Sequence, residues 1–262
     1  NNLAYPFIIF IIALIISTCV LHASFSDFIA ANDIHGSLSL GQTQRVWSGV
    51  IYLIMLAYIS PISGRISKVF GLKTSLFTGV CFFFLGELMA GLSSNFLTFF
   101  SGRLISGIGS GLVVPLTLML VSITTPEKYR SLAISLWTCL SFGLGIISGV
   151  ATSGYIADTI GWRATFLIPV YTSPIVLYLI WLVVHENKKE HPKPIKIWEV
   201  FFHSIYIGSL IIWIGNVKLR WNTDGFNSFF SVFFLLLTML CLISFIITSK
   251  KSSSPFLMIS LF

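Results

Sequence analysis

Residues 7–16, FIIFIIALII, contain no polar side chain, and this run is one of eight long apolar stretches in the chain. The stretches cover residues 5–31, 44–63, 74–92, 96–124, 131–157, 164–184, 198–217 and 226–248. Each approaches or exceeds the ~20 apolar residues with which a helix crosses a bilayer's hydrocarbon core. Backbone N–H and C=O groups in hydrocarbon must be satisfied within their own helix or around a closed barrel. Barrel strands alternate polar and apolar side chains, and runs such as 7–16 do not. The expected fold is therefore an all-α integral membrane protein, with the lipid bilayer as its main partner. The first stretch lacks the charged leader and the Ala-x-Ala cleavage site of a signal peptide and is read as a span.

Composition supports this and excludes other classes. The chain is 55% hydrophobic and 10% charged, whereas soluble domains carry about 25% charged residues. A soluble enzyme, a disordered tail and a small secreted scaffold are thereby excluded. The net charge of +7 would suggest nucleic acid in a soluble chain, but no basic groove is formed and no nucleic-acid partner is expected. With eight spans, one side of the membrane holds Arg65, Lys68, Lys73, Lys128, Arg130, Lys188, Lys189, Lys193, Lys196, Lys250 and Lys251. The other holds Arg45, Arg163, Lys218 and Arg220, and Arg103 lies within a span. Positive residues concentrate on cytoplasmic loops, so both ends of the chain are expected in the cytoplasm. The four cysteines are far apart inside apolar runs, with no metal or redox spacing.

The chain repeats itself once. Gly64-Arg65-Ile66-x4-Gly71-x-Lys73-x2-Leu76 recurs as Gly154-Tyr155-Ile156-x4-Gly161-x-Arg163-x2-Phe166, every matched position offset by 90 residues. An offset of three spans places the copies on opposite sides of the membrane. This is the pattern of a three-plus-three inverted repeat. The polar segment 185–197, HENKKEHPKPIKI, then divides the chain. Residues 1–184 are expected to form a six-helix bundle, 185–197 a cytoplasmic linker, 198–249 two further transmembrane helices, and 250–262 the start of another apolar segment.

Few residues inside the spans bear chemistry. Arg103, Gly107, Gly111 and Pro115 recur every fourth residue on one stripe of the fourth span. A charge at that depth is costly and calls for a cavity or a partner, the alternative being that Arg103 snorkels to the surface. Ser141, Gly145, Gly149 and Ser153 form a similar stripe on the fifth span, a groove for another helix. Thr18, His22 and Ser26 share a face of the first span with Asp27 adjacent, and Glu87 lies in the third. Ionisable residues at depth are candidate proton sites, or, for Asp27 and Glu87, hydrated groups at the outer interface. No nucleophilic triad, metal-ligand set or phosphate loop is present, so no enzymatic activity, no metal and no cofactor is expected.

These residues resemble the major facilitator superfamily, and more narrowly its fourteen-span drug:proton antiporters of the EmrB/QacA type. Gly64–Lys73 is similar to the family's loop motif between spans two and three, with Gly64 and Gly71 matching and Lys68 and Val69 replacing its Asp and Arg. Phe100-x2-Arg103-x2-Ser106-Gly107-x-Gly109 resembles the fourth-span motif, with Ser106 in place of Gln. Gly145–Gly154 resembles the antiporter motif of span five, with Val150 and Ser153 as departures, and Gly161–Pro169 resembles the entry to span six. The first-span motif aligns with Leu21–Asp27, His22 standing for the family's acid and Asp27 for its Asn. Trp221 and residues 255–262 resemble the subfamily's extra pair of spans and the lead-in to a second six-helix bundle, which this chain then lacks.

The resemblance implies a proton-coupled exporter of amphipathic or cationic small molecules in the bacterial inner membrane, with the proton as coupling ion. His22, Asp27, Arg103 and Glu87 are its expected coupling residues, and Phe25, Ser106, Pro115 and Trp137 line the expected substrate path. Gly64, Arg65, Gly71, Lys73, Gly107, Gly111, Gly145, Gly149 and Gly154 belong to its conformational motifs. A periplasmic adaptor is a candidate partner. The alternatives are an inactive fragment, a carrier of the same fold for a nutrient or siderophore-like metabolite, and a membrane-embedded sensor or scaffold.

Overall fold

The computed structural model describes residues 4–186, 197–219 and 229–250. Lys188, Lys189, Lys193, Lys196, Arg220, Trp221, Lys251 and the segment 255–262, all used above, lie outside the described residues. The chain divides into two compact units, Asn1–Glu190 and His191–Phe262.

The first unit contains α1 (Ala4–Ile29), α2 (Ala31–Ser37), α3 (Gln42–Phe70), α4 (Leu72–Gly91), α5 (Phe96–Thr124), α6 (Glu127–Ile147), a π-helical turn (Ser148–Thr152), α7 (Ser153–Thr159) and α8 (Trp162–Val183). The second contains α9 (Ile197–Leu219) and α10 (Phe229–Lys250). Among the described residues, seven helices are long and apolar enough to cross a membrane, with Glu127–Thr159 acting as one. Within α9 the described apolar portion is Phe202–Ile214.

Phe7, Leu136, Ile160, Tyr171 and Trp181 are exposed, as expected of a bundle whose outer solvent is lipid. The core lies between helices instead. Val80 and Phe83 of α4, Val113 and Leu116 of α5, Ile12 and Ile16 of α1, and Ile180 of α8 form one buried cluster. The α4–α5 hairpin is the closest contact in it. A Cβ on Gly86 would stand 2.2 Å from the Ser106 amide nitrogen, and one on Gly109 2.3 Å from that of Phe83. Small residues here let the two backbones touch, which is how helices associate when hydrophobic burial gives no advantage over lipid.

One sequence expectation needs correcting. Gly64–Lys73 is not a loop: α3 runs unbroken to Phe70, and the next helix begins at Leu72. Ser63 and Ser67 donate to the carbonyls of Ser60 and Gly64 within the helix, at 2.7 and 2.8 Å, so these polar side chains do not compete with its backbone. The whole turn is Gly71, at φ 97° and ψ 150°, a region open almost only to glycine. Its counterpart Gly161 sits at φ 110° and ψ 152° between α7 and α8. The repeat thus encodes the same joint twice.

A second pair of contacts obeys the same symmetry. Lys73, at the start of α4, donates to the Trp181 carbonyl near the end of α8 at 2.6 Å. Arg163, at the start of α8, donates to the Ser93 carbonyl just after α4 at 2.8 Å. In each copy a basic residue caps free carbonyls at the far end of the other copy's third span, where the helix dipole favours a cation.

Candidate functional site

Three spans bring one cation and two carboxylates together. Arg103 of α5, Glu87 of α4 and Asp27 of α1 are 1%, 0% and 4% exposed. One Arg103 nitrogen, Nη1, donates to Glu87 Oε1 at 3.0 Å. The other, Nη2, lies 3.6 Å from Asp27 Oδ2 and 3.5 Å from the Ala23 carbonyl. Arg103 therefore does not snorkel, and neither acid is a hydrated group at the interface. Removing the guanidinium would leave two buried carboxylates without their cation, which is among the costliest defects a protein can carry, whereas removing one carboxylate leaves Arg103 paired with the other.

The aromatic walls of this site carry no motif in the sequence. The guanidinium carbon lies 4.2 Å from the centre of the Tyr52 ring and 5.4 Å from that of Phe166. Tyr52 is held by its hydroxyl, whose single proton is shared between the Val20 carbonyl at 3.1 Å and Ser110 Oγ at 2.8 Å. Phe166 is fixed edge-on by Phe99 and Trp162, at 5.6 and 5.9 Å between ring centres. A delocalised cation between π faces is stabilised without water. Two site atoms, Glu87 Oε2 and Arg103 Nε, have no hydrogen-bond partner in the protein.

The Arg103 stripe is a packing surface for α3. A Cβ on Gly107 would stand 2.6 Å from the Tyr52 carbonyl, and one on Gly111 2.7 Å from Ile59 Cβ. Close approach at Gly107 is what seats Tyr52 against the guanidinium one turn away. Pro115 continues the stripe within α5 and is half-buried. Ser106, on another face of α5, is buried against Gly86, and its hydroxyl donates to the Arg103 carbonyl at 3.2 Å.

His22 does not join the Arg103 cluster. It is buried between the fifth span and α8, beside the backbone of Ser148 and of Thr165. The groove of the fifth span receives α1: Leu21 fills the space at Gly145, Phe25 that at Gly149, and Ile29 lies 3.6 Å from a Cβ on Gly154. Ser26 Oγ donates to the His22 carbonyl at 2.8 Å and lies 2.6 Å from Ser153 Oγ. The π-helical turn opposite His22 inserts one residue into the span, a distortion common at functional sites. Phe25 is half-buried in this contact. Trp137 is buried against Ala13 and Val121.

At the other end of the conformational motifs, Gly71 and Lys73 hold Glu186. The Glu186 carboxylate accepts the amides of Lys73 and Thr74, each at 3.1 Å, and the Thr74 hydroxyl at 2.7 Å. It occupies the N-terminus of α4, where the helix dipole favours an anion. Its Oε1 would be 2.1 Å from a Cβ on Gly71. Gly64 has open space beside it, and Arg65 makes side-chain interactions of its own.

Residues 4–262 match the Major Facilitator Superfamily. The chain belongs to this superfamily. It is 27% identical over 238 residues to the "Probable multidrug resistance protein EmrY" of Escherichia coli (strain K12), covering 89% of this chain and 45% of that protein. It is 25% identical over 240 residues to the "Multidrug export protein EmrB" of Haemophilus influenzae, again covering 89% and 45%. A crystal structure of the peptide transporter POT with alafosfalin superposes at a TM-score of 0.61 and 14% identity, over 82% of this chain and 51% of that one. The likeness to POT establishes the fold alone. The chain spans about half the length of the curated relatives it matches. It is a multi-pass membrane protein of a transporter superfamily, not an enzyme.

Proposed function

We propose that this chain supplies the first six-helix bundle, with two added spans, of a proton-coupled exporter of amphipathic or cationic small molecules in a bacterial inner membrane. The observation that carries the reading is the Asp27–Arg103–Glu87 cluster. One cation faces two carboxylates away from water, so the fully ionised cluster has a net charge of one minus. A single bound proton neutralises it. Charge buried in low dielectric is expensive, so gain or loss of that proton changes the stability of any conformation that closes around the site. A proton shifts a conformational equilibrium only through such a difference in affinity. The multidrug names of EmrY and EmrB support the substrate class.

The test uses the protein at its full natural length, in inverted membrane vesicles energised by a proton gradient. Adding a lipophilic dye cation should dissipate the gradient as dye accumulates. Asp27→Asn should abolish the dissipation while leaving dye binding in place. Undiminished proton exchange in Asp27→Asn would overturn the coupling role, and dye accumulation indifferent to the gradient would overturn the function itself.

A further inference from the structure

Four polar atoms in or beside the α1–α6 contact are buried and have no partner in the protein: Thr18 Oγ1, His22 Nε2, Trp137 Nε1 and Ser141 Oγ. They belong to a single seam. Ala13 packs with Trp137, Leu21 with Gly145, and Phe25 with Gly149, a constant offset that places Ser141 level with Ser17 and Thr18. Trp137 then lies one turn to one side of Ser141, and His22 one turn to the other. Ser141 is 0% exposed, Trp137 3% and His22 7%, so bulk water does not serve them. The neighbouring Ser17 is already paired with Thr117 at 3.0 Å, which leaves Thr18 and Ser141 without that outlet.

Buried polar groups are nearly always hydrogen-bonded, and the rare orphan points to a missing partner. Four orphans in succession along one helix pair call for a partner that both donates and accepts. The Trp137 indole N–H only donates, the two hydroxyls do both, and His22 Nε2 accepts in the tautomer that carries its proton on Nδ1. Water satisfies all four; a metal cation would be repelled by the indole N–H. We propose that the α1–α6 seam binds a short file of ordered water on Trp137, Ser141, Thr18 and His22, and that this file conducts the coupling proton to α1.

The conducting role rests on the proton-coupled function proposed above; the water sites do not. In the transfer, a hydronium in the file gives its proton to His22 Nε2 and is left as water. No bond between heavy atoms changes, and no other reactant is required. The file begins at Trp137, level with Ala13 in the middle part of α1, and runs toward His22. Beyond His22 the polar line continues through Ser26 and Ser153 to the level of Asp27. The charged groups beside this part of α1 are Asp27, five residues on in the same helix, and Arg103 of α5, whose guanidinium reaches the Ala23 carbonyl. Glu87 of α4 lies behind Arg103.

Hydroxyl-radical footprinting in 18O-labelled water tests the water sites directly, with the full-length protein in lipid nanodiscs. Radicals form where water is bound, so Trp137 should take up the label despite its burial. Paired Thr18→Val and Ser141→Ala changes remove the hydroxyls at nearly constant shape and should lower that uptake several-fold. Absence of label on Trp137, or uptake indifferent to the two changes, overturns the water file. The same variants should slow gradient-driven transport with dye affinity unchanged, and Ser141→Thr should restore the rate. Label that behaves as expected beside transport unaffected by the variants keeps the water sites and overturns their conducting role. A transporter indifferent to the gradient refutes the coupling reading, while the labelling result stands by itself.

Discussion

Replacing Arg103 by Met keeps much of the side chain's length and removes its charge. Glu87 would then lose its 3.0 Å charge-assisted bond and Asp27 its cation at 3.6 Å, both in surroundings at most 4% exposed. Breaking a buried pair by deleting one partner costs about 3–5 kcal/mol. Part of this is lost attraction to the Tyr52 face, worth about 2 kcal/mol where water is excluded. For a domain of this size about 2–4 °C of melting temperature is lost per kcal/mol, which gives a drop of roughly 6–20 °C. The assay is thermal unfolding of the full-length protein in one detergent at one scan rate. Glu87→Met alone should cost less, because Arg103 retains Asp27. The double variant should be more stable than Arg103→Met, because one stranded carboxylate is gone. A melting temperature for Arg103→Met equal to the parent's, or a double variant whose loss is the sum of the two single losses, would refute the account of the cluster.

The Gly71 joint and the α4–α5 contact are testable in the same way. Gly71→Ala forces a Cβ into a backbone region that costs about 1–3 kcal/mol for other residues and into the Glu186 carboxylate. Amide exchange at Lys73 and Thr74 should accelerate, and Glu186→Gln should reproduce a milder acceleration with Gly71 intact. Gly86→Ala sets a methyl group 2.2 Å from one backbone atom and 2.6 Å from another. Overpacking of this kind costs about 1–3 kcal/mol and should lower the melting temperature, whereas Gly143→Ala, with nothing within 4 Å, should raise it slightly.

The apolar runs were legible because lipid leaves a chain few options. Helix length follows from bilayer thickness, and polar interruptions then mark the turns. The repeat was legible because Gly71 and Gly161 each supply a conformation that other residues resist. What periodicity does not give is the partner across a contact. Arg103 stood out as a charge in need of company, yet its company comes from α4 and α1. One signal is available: α4 and α5 form a hairpin about the short turn at 92–95, with Glu87 five residues before it and Arg103 eight after, within one helical turn of the same level. Tyr52 left no such mark, because an aromatic residue in a membrane helix usually faces lipid or fills the core. The helical continuation to Phe70 leaves no mark in the sequence, because Arg65 and Lys68 end the apolar run, whereas a helix with polar residues extends beyond hydrocarbon at no penalty. Glu186 falls in a segment whose sequence shows only a connector, because its partners are two backbone amides and one hydroxyl at the start of α4, which no side-chain pattern reveals.

The two matching joints are not equally free. The seat at Gly71 is filled by Glu186, while nothing stands within 4 Å of a Cβ at Gly161. The bundle therefore has twin elbows of which one is bolted. A rocking movement that needs both to flex should begin at the unbolted side, and the bolt gives the first residues after the sixth span a direct mechanical hold on the second and third.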